Sequence, residues 1–257
     1  VFEALGIFEK IEMLKDFMEQ LNSQTQKTIF DLDLSDAIDC EKKLLLATNS
    51  GLQRNPVPPK LAPLMASHSA LMMSITTNKS HKKFLSDFMK QQMEILVTNT
   101  FGLVENEVEI GSGIFPFASF FNHSCAPNIT RITVDGQLIF IVLRPIQINH
   151  QLFVCYREEF HHCPSQQRRE ELSTSYRFLC KCEACRRNYE LLEDLPHYDN
   201  DFQEPPAVLN CSLKALTDEY RKNCSYINEN INKFPSYELC SLIDRNQRLL
   251  NSIVSLT

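Results

Sequence analysis

No apolar run in this sequence reaches the ~20 residues that a membrane-spanning helix needs. No basic-then-apolar stretch of the secretory kind opens it either. A surplus of positive charge is also missing: 26 Lys and Arg stand against 32 Asp and Glu, for a formal charge of −6. Domains that hold nucleic acid through phosphate contacts need a basic face, so direct nucleic-acid binding is not expected. Membrane attachment is not expected on the same reading. The acidic balance leaves room for a basic partner, such as a protein bearing lysine. Repeats and low-complexity tracts are lacking too. The expectation is a soluble intracellular protein, cytoplasmic or nuclear.

What is present is 257 residues with 43% apolar content, enough for a real core. Ten cysteines without a secretory signal point to metal ligands or buried thiols rather than disulfides. The N-x-S/T triplets at Asn122, Asn128, Asn210 and Asn223 are then chance matches.

Helical spacing dominates the first part. Leu5, Phe8, Ile11, Leu14, Phe17, Met18 and Leu21 form one stripe, and further helices are expected from about Asp36 to Thr48 and from Leu61 to Met73. A fourth is expected from Ser80 to Leu96, with Phe84, Phe88, Met93 and Leu96 along one side; His81 reads as solvated. At Val97 the pattern turns β-branched and glycine-punctuated, which predicts short strands. "NITRITVDGQLIFIVL" is the strongest local signal, two alternating runs around Asp135-Gly136 that predict a hairpin with a two-residue turn. "QLFVCY" reads as a short strand and "SQQRREELSTSYRF" as a helix. Beyond the "EDLPHYDNDFQEPP" loop, Leu209, Leu213, Leu216, Tyr220, Ile227 and Ile231 form one stripe. Leu239, Leu242, Leu249, Leu250 and Ile253 form another after Pro235, and the short link predicts an antiparallel pair.

Cys180, Cys182 and Cys185 make a C-x-C-x-x-C cluster, whose spacing lets three thiolates turn around one tetrahedral zinc. Spacing leaves the fourth ligand open among Cys125, Cys155, Cys163 and nearby histidines. His161, His162 and Cys163 could bind metal themselves.

"GSGIFPFASFFNHSCAPN", "LRPIQINHQLFVCY" and "RREELSTSYRFLCKCEAC" together resemble the C-terminal half of a SET domain and its post-SET cysteine loop. Their wording resembles the SET/MYND (SMYD) lysine methyltransferases, in a divergent animal branch that includes insects. The resemblance is strongest over 97–185. It implies an α+β fold of small SET-type sheets with a knot-like crossing, divided as a helical insert (1–96), a C-terminal SET core (97–160), a post-SET zinc region (161–193) and a helical extension (194–257).

The resemblance also implies roles. Cys125 joins Cys180, Cys182 and Cys185 around a structural zinc. Asn122 and His123 contact S-adenosylmethionine, Phe178 lies on its adenine with Tyr176 beside it, and Asn99 and His68 approach it from elsewhere. Phe101 walls the lysine channel, and the Tyr156 hydroxyl orients amine and methyl group. The implied activity is protein-lysine N-methylation, on a histone or non-histone substrate. The family's Gly-Glu-Glu-Leu turn reads Asn149-His150-Gln151-Leu152 here, where asparagine tolerates positive φ.

Two parts of the family pattern are not found. No G-x-G strand precedes Leu5, and Cys40 alone precedes Cys125, so a MYND zinc module is not seen. The expectation is a fragment or shortened homologue. The alternative reading is a non-catalytic, zinc-stapled interaction module. A thiol hydrolase using Cys125 with His123 is disfavoured, because residues two apart in a turn do not generally set a base against its nucleophile.

Overall fold

The computed structural model describes residues 78–105, 108–115, 117–205 and 211–256, together with Lys15, Asp16, Glu19 and Ala66. The helices expected before residue 78, and His68, lie outside the described residues. Contacts divide the chain into two compact units, Val1–Thr100 with Ile114–Phe120, and Phe101–Gly113 with Phe121–Thr257.

In the first unit, helix α1 (Lys79–Asn99) starts at Asn78, whose side chain accepts from the Ser80 and His81 amides. Two expectations need correction here. The helix runs through Val97 and Thr98, because its last carbonyls find donors: Asn99 Nδ2 reaches Ile95 O at 2.7 Å and Thr100 Oγ1 reaches Leu96 O at 2.6 Å. His81 is buried rather than solvated. It shares the inward face with Leu85, Ile95 and Asn99, while Leu96 is exposed. Of the bulky stripe, Phe84, Phe88 and Met93 are half-buried.

Among the described residues the second unit is built on three two-stranded sheets. Strands β1 (Thr100–Glu105) and β2 (Val108–Ile114) pair, which bears out the strand reading of that stretch. Strands β4 (Ile129–Val134) and β5 (Gln137–Val142) form the expected hairpin, in register from Ile129 opposite Val142 to Val134 opposite Gln137. Asp135 and Gly136 both have positive φ, 49° and 72°, the signature of a tight hairpin turn. Strands β3 (Asn122–His123) and β6 (Phe153–Val154) run parallel, Asn122 opposite Phe153 and His123 opposite Val154. This brings the N-H-S-C segment against the strand before Tyr156, the meeting that the expected crossing requires. Asn149 takes φ 67°, so the turn before β6 keeps its shape without glycine.

Asn128 fastens this junction. Its Nδ2 donates to Gln151 O at 2.9 Å, and its Oδ1 accepts from the Phe153 amide at 2.7 Å. Buried backbone groups at so short a sheet need such partners.

Helix α2 (Ser165–Tyr176) ends on Arg177 in the left-handed conformation, φ 61°. That reversal turns the chain toward the cysteines and the single-turn helix α3 (Glu183–Arg186). Helices α4 (Leu213–Asn230) and α5 (Tyr237–Val254) then pack on each other as the expected pair, each capped by a serine. Leu216, Ile227, Leu239, Leu242 and Leu249 are buried, each worth roughly 1.5–3 kcal/mol. Leu213, expected on the stripe, is exposed at the first turn of its helix; Leu209 lies outside the described residues. The pair also joins the core: Cys240 packs with Phe160, Leu172 and Cys185, and Leu143 packs with Ile227 and Leu239. Among the described residues no helix is long and apolar enough to cross a membrane.

Candidate cofactor pocket and cysteine centre

Four sulfurs converge. Those of Cys125, Cys180, Cys182 and Cys185 lie within 4.8 Å of one another. Cys125 Sγ is 3.9 Å from Cys180 Sγ and 3.7 Å from Cys185 Sγ. Zinc bound tetrahedrally at ~2.3 Å to each sulfur wants them ~3.8 Å apart, so the set fits the ion. The corner is held from several sides. Phe160 donates its amide to Cys125 O at 2.8 Å. Arg144 reaches the carbonyls of Ala126 and Pro127 at 3.2 Å and lies over the Phe234 ring. The Cys125 amide points to Cys182 Sγ at 3.4 Å, and hydrogen bonds from Cys125 and Cys180 push the Cys182 thiol down toward thiolate.

The other candidate ligands fall elsewhere. Cys163 is buried with its thiol toward Pro164 O, and Cys155 Sγ is directed to Arg157 O. Sequence reasoning missed Arg168, which is 1% exposed. Its guanidinium donates to the carbonyls of Phe160 and Cys163 and approaches Cys185 Sγ at 4.0 Å. A cation beside four thiolates offsets part of their excess charge.

His123 sits at the join between cysteines and aromatics. Its Nδ1 accepts the Tyr156 amide at 3.1 Å, so Nε2 carries the proton and donates toward Cys125 Sγ at 3.3 Å. Burial lowers its pKa to about 4 and keeps the ring neutral. The structure therefore does set His123 against Cys125, contrary to the geometric reason given against a thiol hydrolase. The imidazole is nevertheless a donor here, not a base, and Cys125 is enclosed by three further thiols.

Tyr156 follows β6. Its hydroxyl donates to Phe121 O at 2.7 Å, and its ring lies 4.8 Å from Tyr176 and 6.4 Å, edge-on, from Phe178. Burial first, then Tyr176, raises its pKa to about 12, so it stays a neutral phenol. With its proton committed to a carbonyl, the oxygen keeps lone pairs for an N–H or polarised C–H. Phe178 also lies 5.9 Å from His123. These faces make an apolar, partly open surface of the kind a flat heterocycle stacks on. Asn122 is exposed at the end of β3.

Phe101 is half-buried on β1, with the Arg131 guanidinium 5.1 Å over its ring. Beside them a cleft of about 690 Å³ is lined by Gly102, Arg131, Thr133, Val154, Cys155 and Arg157, among others. Asn99 belongs to the other unit, where its carboxamide is engaged on Ile95 O and Thr98 Oγ1.

The SET domain family model matches residues 11–157. A SET and MYND domain-containing protein of Dictyostelium discoideum is 32% identical over 123 residues, 48% of this chain and 30% of that protein. Histone-lysine N-methyltransferase SMYD3 of Mus musculus is 32% identical over 154 residues, 57% of this chain and 35% of that protein. N-lysine methyltransferase SMYD2 of Homo sapiens is 33% identical over 89 residues, 34% of this chain and 20% of that protein. The chain thus matches about a third or less of the length of these relatives. Since the SET domain model runs through more than half of the chain, the chain belongs to the SET domain family.

Proposed function

We propose that the chain carries the lysine-facing and cofactor-facing part of an S-adenosylmethionine-dependent protein-lysine N-methyltransferase. The observation that carries this reading is the Tyr156 hydroxyl, held on Phe121 O at 2.7 Å beside Tyr176 and Phe178. A residue that assists direct transfer of a methyl group between two bound reactants by positioning them needs a fixed neutral oxygen, not a nucleophile.

The cofactor, when bound, supplies an electrophilic methyl group on a sulfonium. Asn122 and the backbone of β3 would hold it, with Phe178 and Tyr176 against its heterocycle. The Tyr156 oxygen accepts a hydrogen bond from the incoming amine and orients it. Burial against Phe101, with the Arg131 guanidinium close by, favours the amine without its proton, because desolvation and a neighbouring cation both disfavour an ammonium of reference pKa ≈ 10.4. Cys125, Cys180, Cys182 and Cys185 would hold zinc that fixes the corner and takes no part in transfer. His68 and Asn99 remain proposed contacts of the same cofactor. The substrate is a protein lysine, histone or not, and the setting is cytoplasmic or nuclear, where thiols stay reduced.

Labelled methyl transfer and calorimetry of cofactor binding test this. They should be run on the chain and on a version extended upstream by the glycine-containing strand with which SET domains begin. In the active version Tyr156→Phe should lower turnover far more than cofactor affinity, and Asn122→Ala should do the reverse. Neither cofactor binding nor transfer in either version, with zinc and fold intact, would favour the zinc-stapled interaction module instead.

A further inference from the structure

The adjacent histidines singled out in the sequence do not go to the cysteine centre. His161 Nε2 lies 2.8 Å from one oxygen of Asp244, and His162 Nε2 lies 2.6 Å from the other. Asp244 comes from α5, more than eighty residues further along the chain. We propose that His161, His162 and Asp244 form a second metal site, for a zinc-class divalent cation, that joins the loop after β6 to the last helix.

Four features carry the inference. Side chains of neighbouring residues in an irregular segment usually diverge, yet these two rings approach to 4.1 Å between centroids and aim the same atom at one carboxylate. One histidine would suffice for an ion pair. Two imidazoles and a carboxylate converging are a first-row metal donor set. All three donor atoms lie within 4.8 Å of one another, and opening the N···O separations by about half an ångström would give tetrahedral spacing.

The frame is rigid on one side and open on the other. His161 is 4% exposed, and its carbonyl accepts the Leu192 amide at 3.0 Å. The His162 side chain is 43% exposed, which leaves water a way to a fourth position. The surroundings are acidic. Glu158 and Glu159 both act on His162, and Glu159 is oriented by Gln247 Nε2 at 2.9 Å, one helical turn beyond Asp244.

The site should be the weaker of the two. His161 Nδ1 is buried without a hydrogen-bond partner among the described residues. With a cation on Nε2 that nitrogen must carry a proton, and nothing behind it accepts. Metal-bound histidines ordinarily have such an acceptor, and lacking it costs roughly 10–100-fold in affinity. A chelator should therefore empty this site before the cysteine centre.

Titration of the full chain, already zinc-loaded, with Co²⁺ tests the inference. One further equivalent is expected, with visible d–d absorption but no near-ultraviolet thiolate charge transfer, since no sulfur is involved. Asp244→Asn and His162→Ala should each weaken that equivalent at least tenfold, with the cysteine-held zinc retained in both. If Asp244→Asn does not fold, His162→Ala on an exposed side chain decides alone. No further equivalent, or one that survives His162→Ala unchanged, overturns the inference and leaves the trio as a plain ion-pair clamp. Neither readout depends on methyl transfer, so the proposed activity and this site stand or fall separately.

Discussion

Tyr156 gives its backbone N–H to His123 Nδ1 at 3.1 Å, and that one hydrogen bond decides which ring nitrogen holds the proton. The other nitrogen then has only a donor to offer, and it offers it toward Cys125 sulfur at 3.3 Å. Tyr156 and the cysteine corner are thus mechanically linked through one imidazole. His123→Ala should release zinc to a chromophoric chelator faster, with an affinity loss of roughly 10–100-fold.

The four-sulfur set makes a sharper claim. One zinc per chain is expected at this centre once a chelator has emptied the weaker second site, and Cys125→Ser should lose that metal and stability as fully as Cys182→Ser, since each removes a ligand from one closed site. Cys163→Ser should keep full metal content, its thiol being turned to Pro164 O. Elemental analysis of the three variants checks this; metal lost from the Cys163 variant alone would reverse the assignment.

What the sequence made legible was local. Asp135-Gly136 announces its hairpin because both residues tolerate the positive φ that the turn demands. C-x-C-x-x-C announces a metal for the same reason of spacing. Cys125 is singled out among three cysteines and the nearby histidines by resemblance alone, because 55 residues separate it from Cys180 and no short-range pattern spans that gap. Asp244 was invisible for the same reason: only the packing of α5 brings it to His161 and His162. The error at His81 had a different origin. Within "KSHKKF" it reads as solvated, but burial follows the tertiary neighbours of the helix, and these lie on the side of His81, Leu85 and Ile95.

The helical end should be part of the fold rather than an appendage. A chain ending after Glu193 removes Cys240 and Leu239 from the two core clusters and should melt at a lower temperature, exposing surface that binds a hydrophobic dye. Within the intact chain Leu249→Ala, at a position 0% exposed, should cost about 2–5 kcal/mol in denaturant unfolding. An unchanged melting temperature in the truncated chain would contradict both.

Glu238 gives a pH test. Burial alone would raise its carboxyl, but the amides of Glu238 itself, Tyr198 and Asp199 together hold it below its ordinary 4.5. Two of these are hydrogen bonds of 2.9 and 3.2 Å. A depressed carboxylate contributes stability above its unfolded pKa, and that contribution disappears as pH falls below about 4.5. Glu238→Gln should therefore be less stable at neutral pH and approach the parent as the pH drops. Parallel curves would show that the ionised carboxylate contributes nothing.

The separation between Cys125 and its partners also fixes an order of events during synthesis. The loop that zinc closes runs from Cys125 to Cys180 and contains the whole β4–β5 hairpin. Drawing together the ends of a 55-residue loop costs about 3–4 kcal/mol of chain entropy. The hairpin, whose contacts are local, can form while that loop is still open. Cys125 must then wait, reduced and unligated, until the three later cysteines leave the ribosome. The growing chain is accordingly most open to oxidation between those two moments, and free zinc protects it only after the second.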